Sequence, residues 1–298
     1  MRPIAQYAMK GRRQAFFLAM LFALIPFLGW LGAAIMGLVT LRRGPKEGFL
    51  LFLGLTLADL VYFSAGSVGL GYFLYDTFCN NFLTFLAACY LRHRASSWSQ
   101  LIEGLTYLGL AAVVGVHLLY PAITPWWAAH LEQLFISLNN LTGAEVAHHT
   151  SQALAQSTAQ YATGIQAALT LIMVTFNLIV ARYMQASLYN PGGLRRELTS
   201  LHISRRMAFL TIAICILPWL HFGFAKDLLP ITTVPFLFSG ISLFHDFVFK
   251  SRRQWAWLIT FYALLLLALP YLCLIFIIVG LLDTFYNLRA YLKNHTQS

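Results

Sequence analysis

Between Arg94 and Arg182 the chain has no lysine or arginine, and its whole length of 298 residues carries only ten acidic side chains. Charged residues make up 10% of it, against roughly 25% in a typical soluble domain, which excludes an ordinary water-soluble fold. Cysteine is scarce as well. Cys79, Cys89, Cys215 and Cys273 all sit inside apolar stretches with no CxxC spacing, which argues against a disulfide or zinc framework and leaves them as small apolar residues. Metalloprotease HExxH, phosphate-binding GxxxxGK(S/T), dinucleotide GxGxxG and lipase-type GxSxG are all missing, so no enzyme class is signalled. His148 and His149 are adjacent, which points them to different faces of a helix and is poor spacing for a metal. The expectation is a protein that is not an enzyme and takes no metal or cofactor.

What is present is apolar length punctuated by positive charge. Apolar residues make up 59% of the chain and its mean hydropathy is +0.69. Nineteen of the twenty basic residues fall in six clusters, at 2–13, 42–46, 92–94, 182–206, 250–253 and 289–293, with Lys226 apart from them. Loops that stay in the cytoplasm keep most of the Lys and Arg of a membrane protein, so each cluster marks the inner side. Each apolar stretch between two clusters must then cross and return. Five helical hairpins follow, with both termini inside. The expected fold is all-α, a polytopic transmembrane helical bundle of about eight to ten spans forming a single integral membrane domain over 1–298. The net charge of +10 flanks apolar spans instead of covering one face, which points to anionic lipid headgroups and the bilayer, not to nucleic acid. The run from Ala15 follows a basic tail without a small-residue cleavage site before the next span, so it reads as a retained first helix.

The hairpins differ in kind. The first, 15–41, breaks at Pro26 to Gly29, and each arm rises only about 20 Å against a hydrocarbon core of roughly 30 Å. Its arms are short and shielded by neighbours, or it is one kinked span. The second, 48–91, breaks at Ser64 to Ser67. The third has spans near 101–120 and 161–181 with an extracytoplasmic loop, 121–160, in which Leu131, Leu134, Phe135, Leu138 and Leu141 recur at helical spacing beside Trp126 and Trp127. That pattern suits an amphipathic helix in the outer interface, or one capping the bundle. A basic cytoplasmic loop, 184–206, follows, with a turn at 190–193. The fourth hairpin, 207–249, is expected to turn at Lys226, Asp227 and Pro230. The fifth, 255–288, turns or kinks at Pro270.

Polar groups inside spans are costly and are candidates for function. Counted from the basic clusters, Asp59, Asn80, Asn81 and His221 fall roughly 17 to 22 Å from the inner side, in the outer half of their helices. Trp30 and Trp219 belong to the same leaflet. One carboxylate, two amides, an imidazole and indoles would suit a small-ligand pocket open to the outside; the same residues would also serve as helix ties and interface anchors. Ala15, Ala19 and Ala23 recur every fourth residue, as do Gly29, Ala33 and Gly37. Such flat stripes serve either packing within the chain or docking of a partner helix.

The opening resembles the first three helices of the substrate-binding S components of energy-coupling-factor transporters. The carrying residues are Ala15 and Ala19, the run LGAAIMGLVTL, and RRGPKEGFLLFLG with Gly44, Pro45 and Gly48. Over nearly its full length the chain resembles the YybS-like family of bacterial multi-pass proteins, through ARYMQASLYNPGG at 181–193, the HDF segment at 245–252 and GLLDTFYNLR at 280–289. The transporter resemblance implies micronutrient capture at the outer face of a bacterial inner membrane. It also implies that Ala15 and Ala19 contact a membrane coupling subunit driven by ATPases. The sequence departs from those S components in its larger number of helices and in the 121–160 loop.

The functional expectation is a small-molecule capture subunit of a transporter, binding through Asp59, Asn80, Asn81, Trp219 and His221, with Ala15, Ala19 and Ala23 as a docking stripe. The alternative is a noncatalytic membrane scaffold or assembly factor working through its basic surface at 195–206. A third reading, an intramembrane enzyme, would have only Asp59 and His221 for its acid and base.

Overall fold

A computed structural model describes all residues except 94–96, 143–147, 221–222, 251–252, 287 and 290–298. Among the described residues the chain is helical, with no strand. Five helices are long and apolar enough to cross a membrane: Pro45–Ser64, Trp98–Leu119, Ala162–Tyr189, Ala225–Phe249 and Leu269–Tyr286. Several apolar helices of this kind are those of a multi-pass membrane protein. The sequence reading kept 1–298 as one domain; by its internal contacts the chain groups into two compact units.

The first unit comprises Met1–Ile102 and Ile172–Leu201. It opens with α1 (Arg2–Lys10), α2 (Arg12–Ala23), α3 (Gly29–Arg43) and α4 (Pro45–Ser64). The Gly44-Pro45 pair both ends and starts a helix. Gly44 adopts φ +111, open to glycine at little cost, and its N–H donates to Thr40 O at 3.1 Å; Pro45 then fills the first helical position, where no N–H is needed.

The first hairpin is short, and α3 is its enclosed arm. Every residue from 31 to 41 is buried, and a helix apolar on all sides is stable only where neighbours cover it. Small residues set that contact: a Cβ on Gly32 would lie 2.9 Å from Ala19 O, and one on Gly37 would lie 3.0 Å from Ala181 Cβ. At its other end Arg92 Nη1 donates to two carbonyls of the last turns of α3, Thr40 O, which also accepts from Gly44, at 3.3 Å and Leu41 O at 3.2 Å.

A second hairpin pairs α4 with a continuous helix over 70–91. That helix has three parts: α5 (Leu70–Leu74), a π-helical stretch (Tyr75–Phe82) and α6 (Leu83–Leu91). Reversal between the arms is shown by Phe63 on Phe73, 5.5 Å between ring centroids. The remainder of the unit is the start of α7 (Trp98–Leu119), the end of α10 (Ala162–Tyr189) and α11 (Gly193–Thr199). Gly192, at φ +81, makes the turn expected at 190–193. Helix α10 continues to Tyr189, past the expected end at 181.

The second unit comprises Glu103–Leu171 and His202–Ser298. The 121–160 segment holds two helices where the sequence suggested one, α8 (Ile123–Thr142) and α9 (His148–Ala159), joined by Asn139 Nδ2 donating to Ser151 Oγ at 3.1 Å. Leu134, Leu138 and Leu141 of α8 are exposed. Then come α12 (Arg205–Ile216), a 3₁₀ turn (Leu217–Leu220) and α13 (Ala225–Lys250). Lys226, Asp227 and Pro230 lie inside α13, not at a turn. The chain reverses before it, as Thr211 Oγ1 donating to Thr232 O at 3.3 Å requires. Asp227 suits the first turn of a helix electrostatically, and its side chain is held by neighbours described below.

The last two helices, α14 (Gln254–Leu267) and α15 (Leu269–Tyr286), meet at Ala268. Phe261 and Phe276 stack edge-on with centroids 5.2 Å apart; in one continuous helix those fifteen positions would separate them by about 22 Å. The fifth unit of sequence is therefore a hairpin, not a kinked rod. Phe261 also lies 4.6 Å from Phe244 of α13, so the chain reverses between α13 and α14 as well. Gly240 and Gly280 bring α13 and α15 together so closely that a Cβ on either would strike the other helix's backbone.

Candidate functional site: a carboxylate pocket in the first unit

Asp59 lies fourteen positions into α4, and the reversal at 65–69 sets the Tyr75–Phe82 stretch against it. Thr77 Oγ1 donates to Asp59 Oδ2 at 3.0 Å, and Asn81 Nδ2 donates to the same oxygen at 3.1 Å. The same Asn81 nitrogen reaches Asp76 Oδ2 at 3.3 Å, while Asn80 Nδ2 donates to Asp76 Oδ1 at 3.0 Å. One amide thus bridges two carboxylates. The π-helical turn allows it: the wider spiral brings residues five apart onto one face, so both Asn80 and Asn81 meet Asp76. Such turns recur at functional sites.

Asn177 of α10 completes the network. Its Nδ2 donates to Asn80 Oδ1 at 3.1 Å and Thr84 Oγ1 at 3.3 Å, and its own Oδ1 is buried with no hydrogen-bond partner. Interhelical amide bonds of this kind tie helices where no water competes.

These groups face a cavity of about 370 Å³, within the range that holds a small molecule. Asp59, Asp76, Asn80 and Asn81 form its polar wall, and Phe27, Trp30, Tyr62, Tyr72 and Phe73 its aromatic wall. Tyr62 is fixed by donating to Leu24 O at 2.7 Å, and Trp30 by Phe176 at 5.3 Å. No lysine, arginine or histidine lines it. Two acids, amide dipoles and π-faces with no internal cation form a surface complementary to positive charge.

Of the residues singled out in the sequence, Asp59, Asn80 and Asn81 share this wall, and Trp30 stands opposite. Trp219 belongs to the second unit, where it is 83% exposed and lines a separate cleft with Tyr161, Cys215, Pro218 and Lys226. His221 lies outside the described residues, as do the side chains of His148 and His149. Ala15 and Ala19 are buried between their own helix and neighbours of the same unit, and Ala23 lines the pocket. Sequence reasoning missed Asp76, Thr77, Tyr72 and Asn177. The spacing of Asp76 to Asn80, one helical turn, was the available signal for the first of these. Among the described residues no group of three or more His, Cys, Asp or Glu is placed to hold a metal.

No protein-family model, curated protein or solved structure matches the chain.

Proposed function

We propose that this multi-pass membrane protein captures a small organic cation in the first-unit pocket, as the substrate-binding part of a transport system. The observation that carries the reading is the cavity wall itself: two carboxylates bridged by one amide, faced by five aromatic rings, with no cationic side chain among the described residues to neutralise them.

In this reading ten helices cross the bilayer: α2, α3, α4, the helix over 70–91, α7, α10 and α12 to α15. Of the short ones, α3 is enclosed by its neighbours, whereas α14 buries only Phe261. The basic residues Arg42, Arg43, Lys46 and Arg92 lie at one end of the second hairpin, the inner end by the positive-inside rule. Asp59 then lies about 21 Å up α4, and the pocket opens to the outer leaflet. Energy for movement would come from a separate membrane coupling subunit with ATPases, as in the transporters that the first helices resemble.

The test is a thermal-shift and equilibrium-binding panel of small organic cations, led by choline, agmatine and thiamine, on protein in zwitterionic nanodiscs. Saturable binding by a cation that Asp59→Asn and Asp76→Asn each weaken supports the reading. No binding by any cation overturns it, and shifts weight to the noncatalytic scaffold. The scaffold reading is favoured by α11, whose Arg195 and Arg196 are exposed; it would be tested by crosslinking from that helix.

A further inference from the structure

Asp59 and Asp76 lie within hydrogen-bond reach of each other. An ionised carboxylate offers only acceptor oxygens, so two of them side by side attract each other only when a proton lies between them. Every donor around the pair is neutral: Thr77 and Asn81 donate to Asp59, and Asn80 and Asn81 to Asp76. Asn177 fixes part of that assignment, because its Nδ2 donates to Asn80 Oδ1 and so holds the Asn80 amide with its nitrogen toward Asp76. The Asn177 side chain is fully buried and its own Oδ1 has no partner. An open acceptor at the back of the network adds to its shortage of positive charge.

The surrounding helices do not supply that charge. Besides the two acids, the titratable groups that line the cavity are Tyr62 of α4 and Tyr72 of α5, with Tyr75 near Tyr72. Phenols stay neutral near neutral pH. From the other side Ala23, Ile25, Pro26, Phe27, Gly29 and Trp30 line it, and α10 contributes Met173; none of these titrates. Two adjacent carboxylates in a wall of low dielectric cannot both stay ionised without a counter-ion, and such a pair settles by keeping one proton. The cavity offers an alternative to that proton. Its volume of about 370 Å³ and its aromatic rings leave room beside the acids for a larger positive group.

Resting on the cation reading of this pocket, we propose that the site exchanges a proton for its ligand: when empty, Asp59 and Asp76 share one proton, and a bound organic cation displaces it. The O–H bond of the shared proton breaks, its electron pair stays on the carboxylate oxygen, and the proton passes to solvent through the opening of the pocket. The empty site carries one negative charge; the loaded site carries two carboxylates and one cation. Its net charge is therefore the same in both states, and a proton returning to the pair expels the cation.

The experiment uses choline, whose quaternary charge does not change with pH, on the full chain in zwitterionic nanodiscs. Titration calorimetry near neutral pH, in two buffers of different ionisation heat, counts the protons released per choline bound. Repeating it one unit above and one below gives the pH slope of the affinity. Infrared difference spectra of empty against loaded protein read the carbonyl stretch of a protonated carboxyl group. The exchange requires about one proton released per choline, an affinity that rises about tenfold for each unit of pH, and a protonated-carboxyl band that disappears on loading. In Asp76→Asn the remaining acid has no second carboxylate to share a proton with, so weaker binding persists without release, slope or band. Should that variant not fold, the three wild-type readings decide alone. Choline binding that lacks any one of them overturns the exchange and leaves cation capture standing, and so does proton release that persists in Asp76→Asn. If choline does not bind, the same readings are taken on whichever cation of the panel does; if none binds, capture fails and the exchange with it.

Discussion

The acids of the first unit's carboxylate pocket and the buried acids of the second unit are treated in opposite ways. In the second unit Asp227 is 2% exposed and fully occupied: His117 Nε2 lies 2.8 Å from Oδ2, and the Gly164 N–H donates to Oδ1 at 2.5 Å. Phe224 stacks on the imidazole at 5.0 Å. Asp283, also buried, meets Arg289 Nε at 3.1 Å and His202 Nδ1 at 3.5 Å. Asp227 and Asp283 thus each have a cationic or cation-forming partner from their own unit. In the first unit Asp59 and Asp76 accept from hydroxyl and amide donors, lie within hydrogen-bond reach of each other and border an open cavity. Carboxylates closed by internal partners serve as helix ties; under the proposed function, those left beside a cavity are the ones offered to a ligand.

This contrast breaks first at Asp227. Asp227→Ala leaves the Gly164 N–H and His117 without their acceptor, and removing one member of a buried pair costs about 3 to 5 kcal/mol. Asp59→Asn keeps an acceptor for Thr77 and Asn81 and is expected to cost less than about 1 kcal/mol. Thermal unfolding of both variants in the same detergent checks the difference; equal losses would remove the distinction between tie and site.

Next in size is Gly280→Leu. The added side chain meets the backbone of α13 at Phe236 and Gly240, and overpacking of that kind costs about 1 to 3 kcal/mol. Gly104→Leu, where a Cβ meets nothing within 4 Å, is expected to leave the unfolding temperature unchanged or slightly raised, since leucine is the better helix former. The pair separates close helix contact from a general intolerance of larger residues.

Asn80→Lys sharpens the comparison by giving the pocket acids the cationic partner that Asp283 already has. An ammonium beside Asp76 is expected to weaken binding of an organic cation by at least about tenfold, or about 1.4 kcal/mol, while the protein remains folded. Competition binding checks it.

The smallest effect concerns pH. Burial opposes the charge of Glu197, but the bonds from Arg182 and Trp98 outweigh it and hold its carboxyl below the ordinary value of 4.5. Its pairing with Arg182 therefore contributes stability above that value and loses it as pH falls through the lower folded-state value. The unfolding temperature of wild type should exceed that of Glu197→Gln by a constant margin from neutral pH down to about 5, and the margin should close below 4.5. A margin that widens on acidification would contradict the sign.

Much of this was legible in the chain. Basic clusters mark helix ends because a span must finish where charge can reach water, which located the ends of α3, α4, α6, α13 and α15 to within a few residues. Pro26 with Gly29 marked the first reversal, and the depth of Asp59, Asn80 and Asn81 placed three groups of the pocket at one level. The rest depends on contacts between distant positions. Pro230 suggested a turn because proline removes a helix hydrogen bond, yet α13 accommodates both Pro230 and Pro235 in a packed setting. Only the Phe261 and Phe276 rings decide that the final unit is a hairpin. Asn177, 97 positions from Asn80, has no local pattern to announce it, and the π-helical register that turns Asn81 toward Asp76 has no signature in residue type.

The most direct measurement is equilibrium binding of radiolabelled organic cations to wild type and to the Asp59→Asn, Asp76→Asn double variant in zwitterionic nanodiscs, with unfolding temperatures measured on the same samples. The proposed pocket requires saturable binding by at least one cation, lost in a double variant that unfolds within a few degrees of wild type. Binding that survives loss of both carboxylates, or a wild type that prefers anionic or neutral solutes, would contradict it.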